Sequence, residues 1–499
     1  MTSQMEDLLV LGIGVSENKT DGVLRFEHFC KIFDLPYRIL GDGKMWRGGE
    51  MAAGMGGGQK INEVIEALES LDNRLVIICD TFDLFPIAGK IEIMDKYNKL
   101  CQSKNTHKFN RQNELSLEKK HAENLEKHDG KSQANVTLPI KNQIIFSSEV
   151  FCWPDKRLAD SYPAILSKYK YLNSGCIMGY RDEIYNLIKN GNIKDNDDDQ
   201  LFFTVKYLSG GEDIVLDHKC ELFQAINGAY DDVILHKNRV YNKYTHSYPI
   251  FLHGNGPAKI FLNKLENYID DTGLNASTNY SYTLEKHKLL DTLPKVFFAL
   301  YIDSSKTIEY MMFFRSVCGI DYQNKIIYVY DVSNNEETKQ IMETLNFHYF
   351  ANINNYVYDD FFKESDCQYY FLLEQRCIIT EKNILHELIP LCNGYHRIIS
   401  PLLIHKENKL FTNYWGDIDN KGYYRRSDDY LSLINYDLRG LWNAPYVSGA
   451  ILFHGSIIKN WNLSKTSQFT DNDMNLCCNL RKDTLFMYMC NLSTYGYLD

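Results

Sequence analysis

A chain of 499 residues, 44% hydrophobic and 24% charged, carries enough apolar material for two or three packed domains and is neither disordered nor fibrous in composition. Its formal charge of −11 excludes a general affinity for nucleic acid or anionic membrane, because both need a positive field. Thirteen cysteines, an odd number without CxxC spacing, signal neither a zinc site nor a disulfide framework and are expected as buried thiols for the most part.

The polar start, Met1 to Asp7, precedes an apolar run from Leu8 to Val15 that lacks the cationic flank and cleavage site of a signal peptide, so it is expected as a first buried strand. No apolar stretch reaches the roughly 18 to 20 residues of a membrane span. Further strand-like runs follow at Leu75 to Cys79, Gln143 to Ser147, Gly175 to Gly179, Val296 to Ile302, Lys325 to Tyr330, Tyr369 to Leu373 and Ile398 to Ile404. Between them lie helical patterns such as Ile61, Val64, Ile65, Leu68 and Leu71, whose spacing presents one apolar face to a sheet. This alternation predicts α/β layers, and because it restarts near Val296 two nucleotide-binding-like sheets are expected in tandem. The predicted division is a first domain over 1–269, a linker over 270–290 rich in Asp, Thr, Ser and Asn, and a second domain over 291–499. Residues 102–140, dense in Lys, Glu, Asn and His, lack a core pattern and are expected as a mobile insertion.

Neither classical phosphate cradle is present: Gly12, Gly14 and Glu17 fail the GxGxxG pattern, and Gly54 to Lys60 lacks the P-loop spacing. Gly56, Gly57, Gly58, Gln59 and Lys60 instead open the helix expected from Ile61, where exposed N–H groups beside a lysine can hold an anion. The strand Leu75 to Cys79 runs into Asp80, Thr81, Phe82 and Asp83, so two carboxylates emerge at the carboxyl edge where ligands of open α/β sheets bind. Carboxylates so spaced can converge on one hard cation, as in the DxD-type motif of metal-dependent nucleotide-sugar transferases; a capped turn is the plainer reading. Asp195 to Gln200 is an acidic run entering a helix, as a solvated face would be too. His253, before the turn Gly254 to Pro257, stands at a strand end and is suited to be a third metal ligand, although a lone histidine is more often structural.

In this order, Trp46-Arg47-Gly48-Gly49, Gly56 to Lys60, Asp80 to Asp83, Phe146 to Glu149, Phe151 to Pro154, Leu172 to Gly175, Asp197 to Gln200 and His253 to Pro257 closely resemble the glycosyltransferase domain of the collagen lysyl hydroxylases (procollagen-lysine 2-oxoglutarate 5-dioxygenases). The resemblance covers about residues 7 to 268. It continues through Ser400-Pro401-Leu402, Asn413 to Gly416, Arg426 to Tyr430 and Trp442 to Tyr446, which are similar to the family's accessory domain. It implies two tandem glycosyltransferase-A-like (Rossmann-like) domains. The second is expected to be non-catalytic, since Glu374-Gln375-Arg376 puts an arginine where a metal-binding acidic pair would lie. Nothing up to Asp499 resembles the family's iron and 2-oxoglutarate dioxygenase domain, so lysine hydroxylation is not expected.

The activity the resemblance implies is Mn2+-dependent transfer of glucose from UDP-glucose to galactosyl-hydroxylysine of collagen or a collagen-like protein, with retained configuration. The alternatives are transfer of galactose or glucose directly to hydroxylysine, and a non-catalytic UDP-sugar or collagen-binding scaffold. Asp80, Asp83 and His253 would hold the metal. Ile13, Gly14, Val15, Trp46, Lys60, Phe82, Gly256 and Lys259 would hold the donor, with Phe82 replacing a tyrosine usual in the family. Asp198, Asp199, Trp153 and Asn255 would serve transfer, the two aspartates facing the acceptor, while Asp195 is expected to matter little. The implied partners are a hydroxylysine-containing protein and a UDP-sugar, with no nucleic acid and no membrane span, and a homodimer is compatible with this reading. The family implies the endoplasmic reticulum lumen; without a recognisable signal peptide, a cytoplasmic protein, including a viral one acting in its host, fits as well.

Overall fold

The computed structural model describes residues 7–50, 55–72, 74–102, 143–210, 214–237, 239–269, 290, 292–305, 309–465 and 469–499. All but the first residue of the expected insertion and all but the last residue of the expected linker therefore lie outside the described residues. The chain forms two compact units, one drawn from Met1–Lys19 and Phe26–Lys259, the other from Thr20–Arg25, Ile260–Asp270 and Leu274–Asp499.

In the first unit, β1 (Leu8–Ser16) is apolar and buried along almost its whole length, as a strand covered on both faces must be. It is followed by α1 (Asp21–Ile32), of which the first unit takes the part from Phe26 onward, β2 (Tyr37–Asp42), α2 (Gly58–Glu69), β3 (Leu75–Asp80) and the short β4 (Leu84–Pro86). Next come β5 (Ile144–Glu149), β6 (Tyr171–Tyr180), α3 (Arg181–Ile188), α4 (Asp199–Leu208), β7 (Ile214–Leu216), β8 (Phe223–Ala225) and β9 (Phe251–His253), and α5 (Lys259–Glu266) belongs to the second unit after its first residue. The main sheet has the order β2-β1-β3-β6-β5-β7. β1 is parallel to β2 and β3, whereas β6 runs antiparallel between β3 and β5. A smaller sheet, β8-β9-β4, pairs His253 with Leu84. The helical spacing read over 61–71 is realised in α2, which starts three residues earlier at Gly58 and buries Ile61, Val64, Ala67 and Leu68. Gly12 admits no side chain, since a Cβ there would stand 2.6 Å from Thr81 Cγ2 and 2.8 Å from Phe26 Cε1.

The second unit is built on β10 (Lys295–Ile302), α6 (Glu309–Cys318), β11 (Lys325–Asp331), α7 (Glu336–Thr344), β12 (His348–Ala351), β13 (Cys367–Glu374), α8 (Ile384–Leu391), β14 (Ile398–Pro401), β15 (Leu441–Ala444), β16 (Ala450–His454) and β17 (Met487–Cys490). Its eight strands have the order β12-β11-β10-β13-β16-β14-β17-β15, again with a parallel half and a mixed half. The run Ile398 to Ile404, expected as one strand, divides: β14 ends at Pro401, which has no N–H to continue the ladder, and a two-residue strand Ile404–His405 joins another sheet. All thirteen cysteines are free thiols and only Cys318 and Cys478 are not buried. Among the described residues no helix is long and apolar enough to cross a membrane.

Candidate functional site

The in-register pairing of Ile13 with Asp80 sets the carboxyl ends of β1 and β3 side by side. Thr81 Oγ1 donates to the Ile13 carbonyl at 2.8 Å, which fixes the turn after β3, and Gly254 N–H donates to the Asp83 carbonyl at 2.8 Å. β4, leaving that turn, pairs with β9 and so delivers His253 to the same edge. Asp80, Asp83 and His253 each offer a ligand atom within 4.8 Å of the others, and among the described residues no other such group of His, Cys, Asp or Glu converges. His253 Nε2 lies 3.5 Å from Asp83 Oδ1 and 3.9 Å from Asp80 Oδ2.

Hydrogen bonding fixes the imidazole tautomer. The Asn173 amide has its orientation set twice, since Nδ2 donates to Glu149 Oε1 at 3.1 Å and Oδ1 accepts from Gly175 N–H at 3.1 Å. The atom 3.2 Å from His253 Nδ1 is therefore an acceptor, Nδ1 carries the hydrogen, and the Nε2 lone pair faces the two carboxylates. An imidazole held in this way suits a metal ligand. Burial disfavours a charged imidazole at His253, but the hydrogen bond and charge of Asp83, with Asp80 behind it, raise its pKa above the usual value. The field that favours a proton on Nε2 favours any cation there. Burial likewise opposes ionisation of Asp83, and Lys259, His253 and Lys60 overcome it to hold this carboxyl well below the usual range.

Two ammonium groups complete the cluster. Lys60 Nζ, reaching in from the first turn of α2, is 2.8 Å from Asp80 Oδ1 and 3.6 Å from Asp199 Oδ2. Burial works against its charge, yet Asp80 and Asp199 raise its pKa, so it is a fixed cation at neutral pH. Lys259 Nζ is 3.3 Å from Asp83 Oδ2. Three carboxylates thus face two ammonium groups, an excess of one negative charge that a divalent cation would reverse in favour of an anionic ligand.

The other residues singled out by sequence fall into two groups. Asp199 is buried, accepts from Ser174 Oγ at 3.2 Å and belongs to the cluster; its pKa is raised by burial. Asn255 is buried, donates to Glu149 Oε2 at 2.9 Å and accepts from Asn227 N–H at 3.0 Å. Phe82 lies between Asp80 and Asp83 in the chain, Ile13 pairs with Asp80 across the sheet, and Gly256, whose φ is +59°, lies in the turn after His253; Gly14 and the buried Val15 continue β1. By contrast, Asp198 is the N-cap of α4, with Oδ1 accepting from Leu201 N–H at 2.7 Å, and burial pushes its pKa up to about 6. Trp153 is 42% exposed and its carbonyl accepts from Gln200 Nε2 at 3.1 Å. Trp46 packs over Gly48, and its indole N–H donates to the Gly49 carbonyl at 2.8 Å.

Several residues in the quoted segments had no assigned part. Glu149 is a buried hub, accepting from Asn173, from Gln200 Nε2 at 2.7 Å and from Asn255. Asp195, expected to be a solvated acid, accepts from Arg47 Nε and from Asn62 Nδ2, each at 2.8 Å, and its carbonyl accepts from Gln59 N–H at 2.9 Å. No spacing rule reveals such ties, because the partners are far apart in sequence. In the second unit, β13 ends at Glu374, whose Oε2 is 2.9 Å from Arg376 Nε, while Arg376 Nη2 is 3.2 Å from Asp473 Oδ2. A guanidinium occupies the acids at this edge, as the sequence suggests.

Two open α/β units, one with a carboxylate and imidazole cluster at its sheet edge, each match a glycosyltransferase family model. The profile of the PLOD GT domain matches residues 4–109 and 131–279, and that of the glycosyltransferase family 25 N-terminal domain matches 319–499. The chain belongs to the PLOD GT-domain family. It is 48% identical to the uncharacterized protein R699 of Acanthamoeba polyphaga mimivirus, over 99% of this chain and 98% of that one. It is 30% identical to procollagen-lysine,2-oxoglutarate 5-dioxygenase 2 of Mus musculus and 28% identical to the multifunctional procollagen lysine hydroxylase and glycosyltransferase LH3 of Homo sapiens, in both cases over 99% of this chain. The chain spans 65% of the length of each of these two relatives.

Proposed function

We propose that the first unit transfers glucose from UDP-glucose to galactosyl-hydroxylysine of collagen or a collagen-like protein, with Mn2+ as the metal and with retained configuration. The observation that carries this reading is the tautomer-fixed His253 facing Asp80 and Asp83 beside Lys60, in a chain of the PLOD GT-domain family. Asp80, Asp83 and His253 Nε2 would hold the divalent ion, which when bound offsets charge developing on the departing diphosphate. Lys60 contributes a permanent positive charge and needs no proton transfer to do so. Ile13, Gly14, Val15, Trp46, Phe82, Gly256 and Lys259 would receive the donor. Asp199, with Asp80, would orient Lys60, and Asn255, held by Glu149, would offer a fixed amide to the sugar or acceptor. Trp153, exposed as an amphipathic plate, would pack on the acceptor sugar. The second unit, where Arg376 is paired with Glu374 and Asp473 at the corresponding edge, would not catalyse transfer.

A panel of UDP-sugars with Mn2+, read as UDP release with and without a galactosyl-hydroxylysine peptide, tests this. Release stimulated by the peptide with UDP-glucose, and abolished by chelation, is expected. Stimulation by an unglycosylated hydroxylysine peptide alone would favour direct transfer, and no release from any donor would favour a binding scaffold.

A further inference from the structure

At the carboxyl ends of β10, β11 and β13 the second unit holds a cavity of about 540 Å3, at the edge where ligands of open α/β sheets bind and within the size range of small-molecule sites. None of the residues proposed for transfer lines it. Tyr301, Ile302 and Val332 give it an apolar part. Asp303, Glu374 and Glu407 add carboxylate acceptors; Gln375, Arg376 and Lys406 add donors. His405 also lines it and accepts at Nδ1 from the Glu407 and Asn408 N–H groups at 3.2 and 3.0 Å, which leaves its hydrogen on Nε2 as a further donor.

This chemistry selects a ligand class by elimination. A phosphate or diphosphate would meet four acidic side chains, while the cations are already engaged: Arg376 with Glu374 and Asp473, Lys406 with Asp499 at 3.0 Å. A cationic ligand would have to displace Arg376 and Lys406 from the acids that they already hold, Glu374 and Asp499. A purely apolar ligand would strip water from charged groups without replacing it. A neutral polyhydroxylated ligand satisfies both sets, because each hydroxyl donates and accepts at once, and its C–H faces cover Ile302 and Val332. We propose that this cavity binds a hexose or short neutral glycan, without a metal and without transferring it. Such binding belongs to the second unit alone and does not depend on the reaction proposed for the first.

Saturation-transfer NMR and calorimetry on the full chain test it, with galactose, glucose and glucosyl-galactosyl-hydroxylysine as probes and with UDP and Mn2+ in excess to fill the first unit. One saturable sugar site should persist under that excess. Val332→Trp fills the cavity without removing a side-chain hydrogen bond and should weaken binding by about tenfold or more, the equivalent of roughly 1.4 kcal/mol. Glu407→Ala, at an exposed turn, should weaken it in the same direction and decides the matter if the tryptophan variant fails to fold. Both should retain the wild-type affinity for UDP. Absence of sugar binding under excess UDP, binding unchanged in the folded variants, or tighter binding of inorganic phosphate or a lysine peptide at this cavity would overturn the proposal.

Discussion

Gly175→Ala isolates the geometry of the candidate metal centre. A Cβ at Gly175 would stand 2.2 Å from His253 Cε1 and 2.6 Å from His253 Nδ1, where ordinary contact begins at 3.4 Å. The backbone there is strand, which alanine adopts freely, so the cost falls on the imidazole. The ring would have to retreat by more than about 1 Å, whereas metal-ligand distances tolerate about 0.2 Å. It cannot retreat without disturbing the Asn173 bond that fixes its tautomer. Loss of such orientation lowers metal affinity by about 10- to 100-fold, and the upper end is expected here. Mn2+ binding followed by electron paramagnetic resonance measures this directly, with thermal melting as the check on folding. Gly179→Ala on the same strand, whose Cβ would meet nothing closer than 3.4 Å, is the control and should bind Mn2+ as the wild type does. A Gly175→Ala protein with Mn2+ affinity within about threefold of wild type would refute the role of His253 Nε2 and its fixed tautomer.

Asp80→Asn and Asp83→Asn should each abolish Mn2+ binding and UDP release, and each should also lower the melting temperature of the metal-free protein, because it leaves the buried Lys60, or His253 and Lys259, without its counter-charge. Mn2+ at a hundredfold excess over its dissociation constant should stabilise the wild type by about 2.7 kcal/mol, and neither variant should gain this; calorimetric melts with and without the ion read it. Asp198→Ala removes the cap of α4 and should cost about 1 kcal/mol in urea unfolding, whereas Asp198→Asn keeps a capping oxygen and should cost little. If Asp198 also serves the acceptor, the Asn variant should still lose transfer by about 10². Asp195→Asn leaves stability within about 1 kcal/mol because its partner Arg47 is 63% exposed. It should nevertheless raise the KM for the UDP-sugar more than it lowers kcat, since Asp195 ties the Trp46–Gly49 segment to the acidic run; unchanged KM and kcat would return it to a solvated acid.

The elements whose character is continuous in sequence were legible. Leu75 to Cys79 reads as a buried strand because five consecutive apolar residues cross the sheet, and the structure adds only Asp80. The same holds for β1, β10 and β11, and for the position of His253 at the end of a strand. The convergence of Asp80, Asp83 and His253 was anticipated through a family resemblance, since nothing in the spacing of 80 and 253 states that β4 and β9 pair. The supports escaped for the same reason. Glu149, Asn173 and Gln200 meet only because β5, β6 and the start of α4 share one edge, and an amide's orientation is decided by partners on three different segments. Asp198 and Asp199 are neighbours of identical type, yet one caps a helix and the other joins Lys60; a difference of 100° around a helix start is invisible in a run of acids.

Mass analysis of a galactosyl-hydroxylysine peptide incubated with UDP-glucose, Mn2+ and either wild-type chain or Asp83→Asn tests the central claim most directly. The account predicts one added hexose, attached to the galactose, with the wild type, and none with Asp83→Asn or after chelation. Addition of hexose that survives both Asp83→Asn and chelation, or a wild-type chain that binds Mn2+ and UDP-glucose yet leaves the peptide unchanged, would contradict it.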